Sequence, residues 1–497
     1  MLALLLACSD PPPPGELIFV RDGVLIDGET RRFVPRPWVP GEAVTVEGIT
    51  DTAPARAECV KLFSEALGDV DALVASGGAA PHSSVAFSPD GERLAVGSYL
   101  GEVVLLDGWT GQVLGRRQLA ETMVKHVVWS ADGGTLFVGE QSPDANLYAL
   151  DAATLEPRWT WRGADVVESS SPPAGEDLYG VYSLPGIYAL QRLDGGELLV
   201  TVVHGWNTDA ARRNASQVLR LSASSGEVLA RWPADGVADA TLFGTRTDGR
   251  HVVVGVNRSA DGPDPDLPIH GVQVLELPGL EPVFRHVEAP LAPHYDKAFL
   301  WEAVDVRDGR VLLGYGDGRV RLVGLDGTVG GVDAGTPILA GDVPIGASVG
   351  FGVWLDEGFA YSTSGTVIPW GAAAPELRPP TLHPNENAIW VHGADGELAW
   401  TWRGEQQVAG FVRRGDHLVV GAADRRTDAR RDLYGAVVLR LSGEGAGGDR
   451  LEAFCATEGP VFFRQDMSED GRVAVVEYPY VESEGVLRGG YRVTVLR

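Results

Sequence analysis

Val85 to Leu119 reads VAFSPDGERLAVGSYLGEVVLLDGWTGQVLGRRQL, and this stretch decides the fold. Val85, Ala86 and Phe87 form an apolar run, Ser88-Pro89-Asp90-Gly91 supplies turn chemistry, and Arg93 to Ser98 is a second apolar run with Gly97 near its end. A third run, Glu102 to Asp107, is followed by a Thr110-Gly111 corner and a fourth run, Gln112 to Leu119. Glycine tolerates positive φ and Asp bonds its own backbone, so such corners reverse an extended chain. The stretch predicts an antiparallel meander of four short strands in about 35 residues.

The first corner of this unit recurs along the chain as Asp132-Gly133, Asp194-Gly195, Asp248-Gly249, Asp308-Gly309, Asp356-Glu357-Gly358, Gly415-Asp416 and Asp470-Gly471. Seven steps from Asp90 to Asp470 average about 54 residues, longer than the roughly 40–50 of common propeller repeats. The surplus falls between second and third strands: Gly205 to Ser216, Arg258 to His270, Gly365 to Asn387, Asp424 to Gly435 and Val481 to Gly490. In a radial array of four-stranded blades that connection leaves from the face that also carries the links between blades. The elaborated face is thus the expected binding face.

Closure is also legible. Pro460 to Arg497 supplies only three strands, whereas Ala57 to Gly77, helical by propensity, aligns with the third and fourth strands of a unit that lacks its beginning. An open sheet edge invites aggregation, so the N-terminal segment is expected to complete the last sheet and close a circle. A second period supports duplication: Trp159-Thr160-Trp161-Arg162-Gly163 recurs as Trp400-Thr401-Trp402-Arg403-Gly404, and Val218-Leu219-Arg220-Leu221-Ser222 as Val438-Leu439-Arg440-Leu441-Ser442. Both pairs are displaced by four units. The expectation is an all-β, eight-bladed β-propeller over 57–497, with seven blades as the alternative, preceded by an extension of short strands at 16–56.

Phe87-Ser88-Pro89-Asp90-Gly91 with Leu94-Ala95-Val96-Gly97 resembles the repeat of bacterial WD40-like propellers. Asn146-Leu147-Tyr148-Ala149-Leu150-Asp151, leading to Trp159, is similar to the quinoprotein-type repeat, which implies an outer-strand Trp packed between blades. The adjacent cysteines of quinone-dependent dehydrogenases have no counterpart here. Met1-Leu2-Ala3-Leu4-Leu5-Leu6-Ala7-Cys8 followed by the tether at 9–15 resembles a bacterial lipoprotein signal at 1–8, which implies a lipid on Cys8 and, with Ser9 next to it, outer-membrane sorting. That leaves Cys59 and Cys455, either a bridge stapling the closure in an oxidising compartment or two separate buried thiols.

The chain has 497 residues with 44% hydrophobic content, 64 Gly and 13 Trp, which suits a turn-rich β protein; no apolar run is long enough for a membrane-spanning helix. A formal charge of −27 argues against non-specific nucleic-acid binding, which needs cations to displace counterions. Gly346-Ala347-Ser348-Val349-Gly350 matches a nucleophile elbow, but a strand follows where that motif requires a helix. His82, His126 and His294 fall near innermost strands, where a metal would sit in a propeller hydrolase or lactonase, the alternative function. Asp261, Asp264 and Asp266 are weak calcium candidates in a proline-stiffened loop. Arg212 and Arg213 in one insertion, with Arg425, Arg426, Arg430 and Arg431 in another, present fork-shaped donors suited to carboxylates on a protein or anionic macromolecule. Trp206 and Trp370 are exposed by position and complete the expected partner-binding set. The reading is a monomeric, lipid-anchored binding propeller with no catalytic residue and no cofactor.

Overall fold

The computed structural model describes residues 16–18, 24–27, 32–35, 59–70, 83–169, 184–207, 212–257, 267, 270–289, 299–334, 338–340, 343–364, 385–404, 408–422, 434–443, 450–481 and 487–497. Among these residues the strands trace eight four-stranded antiparallel meanders, numbered here as blades 1 to 8. Blade 1 comprises Ser84–Phe87, Arg93–Gly97, Glu102–Asp107 and Val113–Gln118; blade 2 comprises Met123–Trp129, Thr135–Gln141, Asn146–Asp151 and Pro157–Arg162. Blade 3 comprises Gly186–Leu193, Glu197–Asn207, Arg212–Ser222 and Val228–Trp232; blade 4 comprises Thr241–Thr247, His251–Asn257, His270–Glu276 and Glu281–Val287. Blade 5 comprises Phe299–Arg307, Arg310–Tyr315, Arg319–Gly324 and Val329–Asp333; blade 6 comprises Ser348–Leu355, Gly358–Ser364, Ala388–His392 and Leu398–Arg403. Blade 7 comprises Val408–Arg414, His417–Ala422, Gly435–Arg440 and Leu451–Ala456. Each Asp-Gly corner read from the sequence lies between a first and a second strand.

Blade 8 is assembled from both ends of the chain. Val461–Met467, Val473–Glu477 and Arg492–Leu496 leave one free edge, and Lys61–Ala66 pairs with it antiparallel, from Arg492↔Ala66 to Leu496↔Lys61. Val60 and Arg497 extend the ladder by exchanging backbone bonds at 2.7 and 2.9 Å. The early segment therefore contributes a fourth strand and not the third as well, because Arg492–Leu496 already fills that position. Cys59, just before this strand, is bonded to Cys455 on the fourth strand of blade 7 across a Cα separation of 4.9 Å. Each first strand lies against the first strand of the next blade, and that of blade 8 against that of blade 1, so the first strands surround an axis.

Apolar residues alternate to both faces of the blades and meet between them. The contact of blade 8 with blade 1 buries Leu67, Leu94, Val96, Tyr99, Tyr478, Tyr491 and Val493, with Tyr491 Oη accepting from the Tyr99 amide at 2.7 Å. Burial pushes the Tyr491 phenol up to about 12. Arginines lock the outer corners. Arg472, 1% exposed, donates to the carbonyls of Gly108 and Gly91 in blade 1, ion-pairs with Asp470 and stacks 3.7 Å from the Trp109 ring. Arg93, following the matching corner of blade 1, donates in the same way to Gly133 and Ala152 of blade 2.

The outer-strand tryptophan behaves as the repeat resemblance implies. Trp159 on blade 2 donates its indole to the Ala223 carbonyl of blade 3 at 3.0 Å, and a Cβ on Gly226 would come within 2.8 Å of its ring. Gly226 also has φ 73°, so the corner needs glycine for conformation and for space. At the closure, Phe63 on Lys61–Ala66 covers Gly111 of blade 1 in the same manner.

Candidate functional site: insertion face and central channel

The insertions between second and third strands share one face with the links between blades. The blade 3 insertion, read from sequence as a loop from Gly205 to Ser216, is largely strand: Glu197–Asn207 and Arg212–Ser222 pair without a register break from Glu197↔Ser222 to Asn207↔Arg212. A short helix, α1 (Ala164–Val167), in the link from blade 2 to blade 3 supports it, with His204 Nδ1 2.9 Å from the Val167 carbonyl. Further elaborations on this side are the hairpin Ile338–Ala340 and Val343–Ile345 in the link from blade 5 to blade 6, and the hairpin Tyr480–Val481 and Leu487–Arg488 inside blade 8. At the chain's beginning, Glu16–Ile18, Val24–Asp27 and Arg32–Pro35 form a three-stranded sheet whose third strand meets Tyr480–Val481.

Trp206 and Arg213 are cross-strand partners near the tip of the blade 3 hairpin. Expected to be exposed, Trp206 is instead half-buried, its ring 4.8 Å from that of His204 and packed on the core that contains Val167. The helix in the link is the cause, since it gives the indole a surface to cover. Arg213, 42% exposed, ion-pairs with the buried Asp239 at 2.8 Å, and Asp239 also accepts the Asn214 amide. This tether fixes the guanidinium beside the indole. Arg212 takes part through its backbone pairing with Asn207. Trp370, Arg425, Arg426, Arg430, Arg431, Asp261, Asp264, Asp266, His82, His294 and Cys8 lie outside the described residues. Ser348 starts the first strand of blade 6, fully buried, and donates to the Gly316 carbonyl at 2.8 Å. Among the described residues no group of three or more His, Cys, Asp or Glu is placed to hold a metal.

The channel side holds a set of residues that the sequence reading passed over, apart from His126. The first strands of blades 2 to 8 each break register against their second strands, whereas that of blade 1 does not. A bulge takes a residue out of the ladder and re-aims its side chain. In blade 2 the bulged residue is Lys125, between Val124↔Glu140 and His126↔Gly139; in blade 3 it is Tyr188, between Ile187↔Val202 and Ala189↔Thr201. These two meet, Lys125 Nζ lying 3.3 Å from the centroid of the Tyr188 ring and 3.1 Å from Gln141 Oε1. Arg464 falls inside the irregular stretch of blade 8 and Arg246 flanks that of blade 4. Burial, then the charges of Arg464, Lys125 and Arg246, hold the His126 imidazole well below its ordinary range. The available signal was a charged residue inside an innermost apolar strand, as in MVKHVVW and VFFRQDM.

No protein-family model matches the chain, and no curated protein sequence does. Solved structures do match. BamB from Moraxella catarrhalis aligns with a TM-score of 0.50 and 15% identity over 88% of this chain and 99% of its own. The C-terminal WD40 domain of Sif2 gives 0.50 and 11% over 89% and 99%, and the quinohemoprotein alcohol dehydrogenase from Comamonas testosteroni gives 0.50 and 14% over 88% and 76%. The chain is therefore an all-β protein with the WD40-like, quinoprotein-like β-propeller fold. At such identities the likeness is one of fold alone, and a propeller scaffold carries many unrelated functions.

Proposed function

We propose that this propeller is a binding scaffold of the bacterial cell envelope, held to the membrane by a lipid on Cys8, that docks a protein partner through its insertion face. The observation that carries the reading is the one-sided elaboration: the blade 3 hairpin, α1 and the blade 8 hairpin all leave from that side, while the opposite corners are short and locked by arginine. Trp206 and Arg213 supply an amphipathic surface and a fixed cation, a combination enriched where proteins meet. Arg212, Trp370, Arg425, Arg426, Arg430 and Arg431 belong to the same proposed docking set by their place in the inserted segments of the sequence. Excision of 365–387 and 424–435 is expected to abolish partner capture from envelope extracts while the melting transition survives. A photo-crosslinker at position 206 should label the partner, and one at Trp109, on the opposite face, should not. Undiminished capture by the excised chain, or equal labelling from both positions, overturns the reading.

A further inference from the structure

We propose that a slot on the outer rim between blades 5 and 6 binds the side chain of a tryptophan carried by a basic segment of a protein partner. The slot lies on the side of the corners, opposite the insertion face, so failure of partner docking at that face leaves it standing.

Large and small residues alternate across the outer junctions. At each, one position of an outer strand meets the corner that precedes the outer strand of the next blade. Trp159 of blade 2 faces Gly226, and Phe63 of blade 8 faces Gly111. Where the outer strand is small the corner is large: a Cβ on Gly115 of blade 1 would stand 3.2 Å from Leu155, and Ala230 of blade 3 shares a core with Leu280. Phe284 of blade 4 packs in one core with Leu325, the Arg450 guanidinium lies 5.8 Å from the Trp400 ring of blade 6, and the junction of blades 7 and 8 carries the Cys59–Cys455 bridge. Between blades 5 and 6 both sides are glycine. Gly330 pairs with Leu322 as Trp159 pairs with Ala149, and the facing corner is closed by the Gly396 amide on the Gly393 carbonyl. A Cβ on Gly330 would meet only the Leu322 carbonyl oxygen, at 4.0 Å, and one on Gly396 would meet nothing within 4 Å. Close packing leaves few such gaps between packed elements.

The missing side chain leaves apolar surface uncovered. Leu398 of blade 6, paired with His392, is 48% exposed, whereas its counterpart in blade 3, Val228 paired with Leu221, is half-buried in one core with Trp159. Leu322 and Val332 continue the slot inward to the buried junction core of Trp354, Phe359, Tyr361 and Trp390. His392, itself buried, stacks on Phe359 and donates from Nδ1 to the Gly396 carbonyl at 2.9 Å. Its Nε2 is then an acceptor, and that buried atom has no hydrogen-bond partner, which calls for a donor. An indole supplies a flat apolar ring and one N–H, and tryptophan is enriched among the residues that anchor interfaces. Trp159 gives the precedent, donating to the carbonyl of Ala223, whose place in the blade 6 corner is taken by Ala394. Charge narrows the partner further. Asp395 and Glu397 flank Gly396, exposed and without an ion pair among the described residues, on a chain of formal charge −27. Lys or Arg on either side of the partner's tryptophan meets these carboxylates.

Calorimetric titration of the full chain with the peptide KKWKK, capped at both ends, tests the proposal at about 0.15 M salt, where diffuse attraction between opposite charges is screened. Saturable binding at one site per chain is expected, and the alanine counterpart KKAKK should bind at least about tenfold more weakly. Gly330→Trp fills the slot from within, as Trp159 does at its own junction, so it should raise the melting temperature and abolish peptide binding. Leu398→Ser, at an exposed position, should keep the fold and weaken binding by about tenfold. Equal affinity for the two peptides overturns the proposal, as does wild-type affinity in either variant with a native circular-dichroism spectrum. Absence of saturable heat with the wild type also overturns it, and sedimentation of the wild type beside Gly330→Trp then tells whether a second copy or a segment of the same chain holds the slot.

Discussion

Replacing Cys59 and Cys455 together by Ala removes the covalent tie between the closing strand and blade 7 and leaves every backbone bond of the closure in place. The two residues are 396 apart in sequence, so the bridge restrains almost the whole unfolded chain. The loop-entropy relation puts that restraint at about 6 kcal/mol as an upper value, and measured disulfides reach about 5, so a loss of about 3–5 kcal/mol is expected. Unfolding entropy near 2.1 cal/mol/K per residue over the roughly 440 residues from Cys59 to Arg497 is about 0.9 kcal/mol/K. The midpoint should then fall by about 3–5 °C. Scanning calorimetry at one fixed scan rate, on oxidised wild type and on the double variant, reads this directly. Hydrogen exchange adds a local check: amides of Lys61–Ala66 should lose protection before those of blades 3 to 5. A midpoint within about 1 °C of wild type, with exchange at Lys61–Ala66 unchanged, would show that strand pairing alone holds the ring and would refute the reasoning.

Three further outcomes follow from named contacts. Arg472→Ala should cost about 3–4 kcal/mol, because two charge-assisted bonds to blade 1 and the stack on Trp109 go together, whereas Arg93→Ala, in a less buried corner, should cost less; chemical denaturation of both variants gives the ranking. Trp159→Ala should cost about 2 kcal/mol, below the value for a fully buried Trp since the ring is half-exposed, and its effect should appear as a lowered urea midpoint. Burial holds the folded His126 imidazole well below the ordinary histidine range near 6.5, so its contribution to stability is present above that pH and is lost as pH falls toward the folded value. His126→Gln should therefore flatten the decline of melting temperature below about pH 6.5, measured by thermal melts across a pH series at constant ionic strength.

The sequence determined the scaffold because its signals are local. An Asp-Gly corner, an apolar run of four to seven residues and a glycine facing an outer Trp act within one hairpin or between neighbouring blades, and those at Asp90-Gly91 and Trp159 are found where the pattern puts them. Even the closure was legible, since a unit lacking one strand and a segment resembling part of a unit are complementary halves of one sheet. The site was less so. That Trp206 would be half-buried depended on a four-residue helix in a link about 40 residues earlier, and no periodicity connects the two. That Lys125 would leave its ladder beside Tyr188, with Arg246 and Arg464 bearing on His126, depended on register breaks in four blades, each too small to mark the hydrophobic pattern. Strand order and corners were set by neighbours in sequence. The channel's charge was set by the ring, which brings residues more than 300 positions apart to one axis.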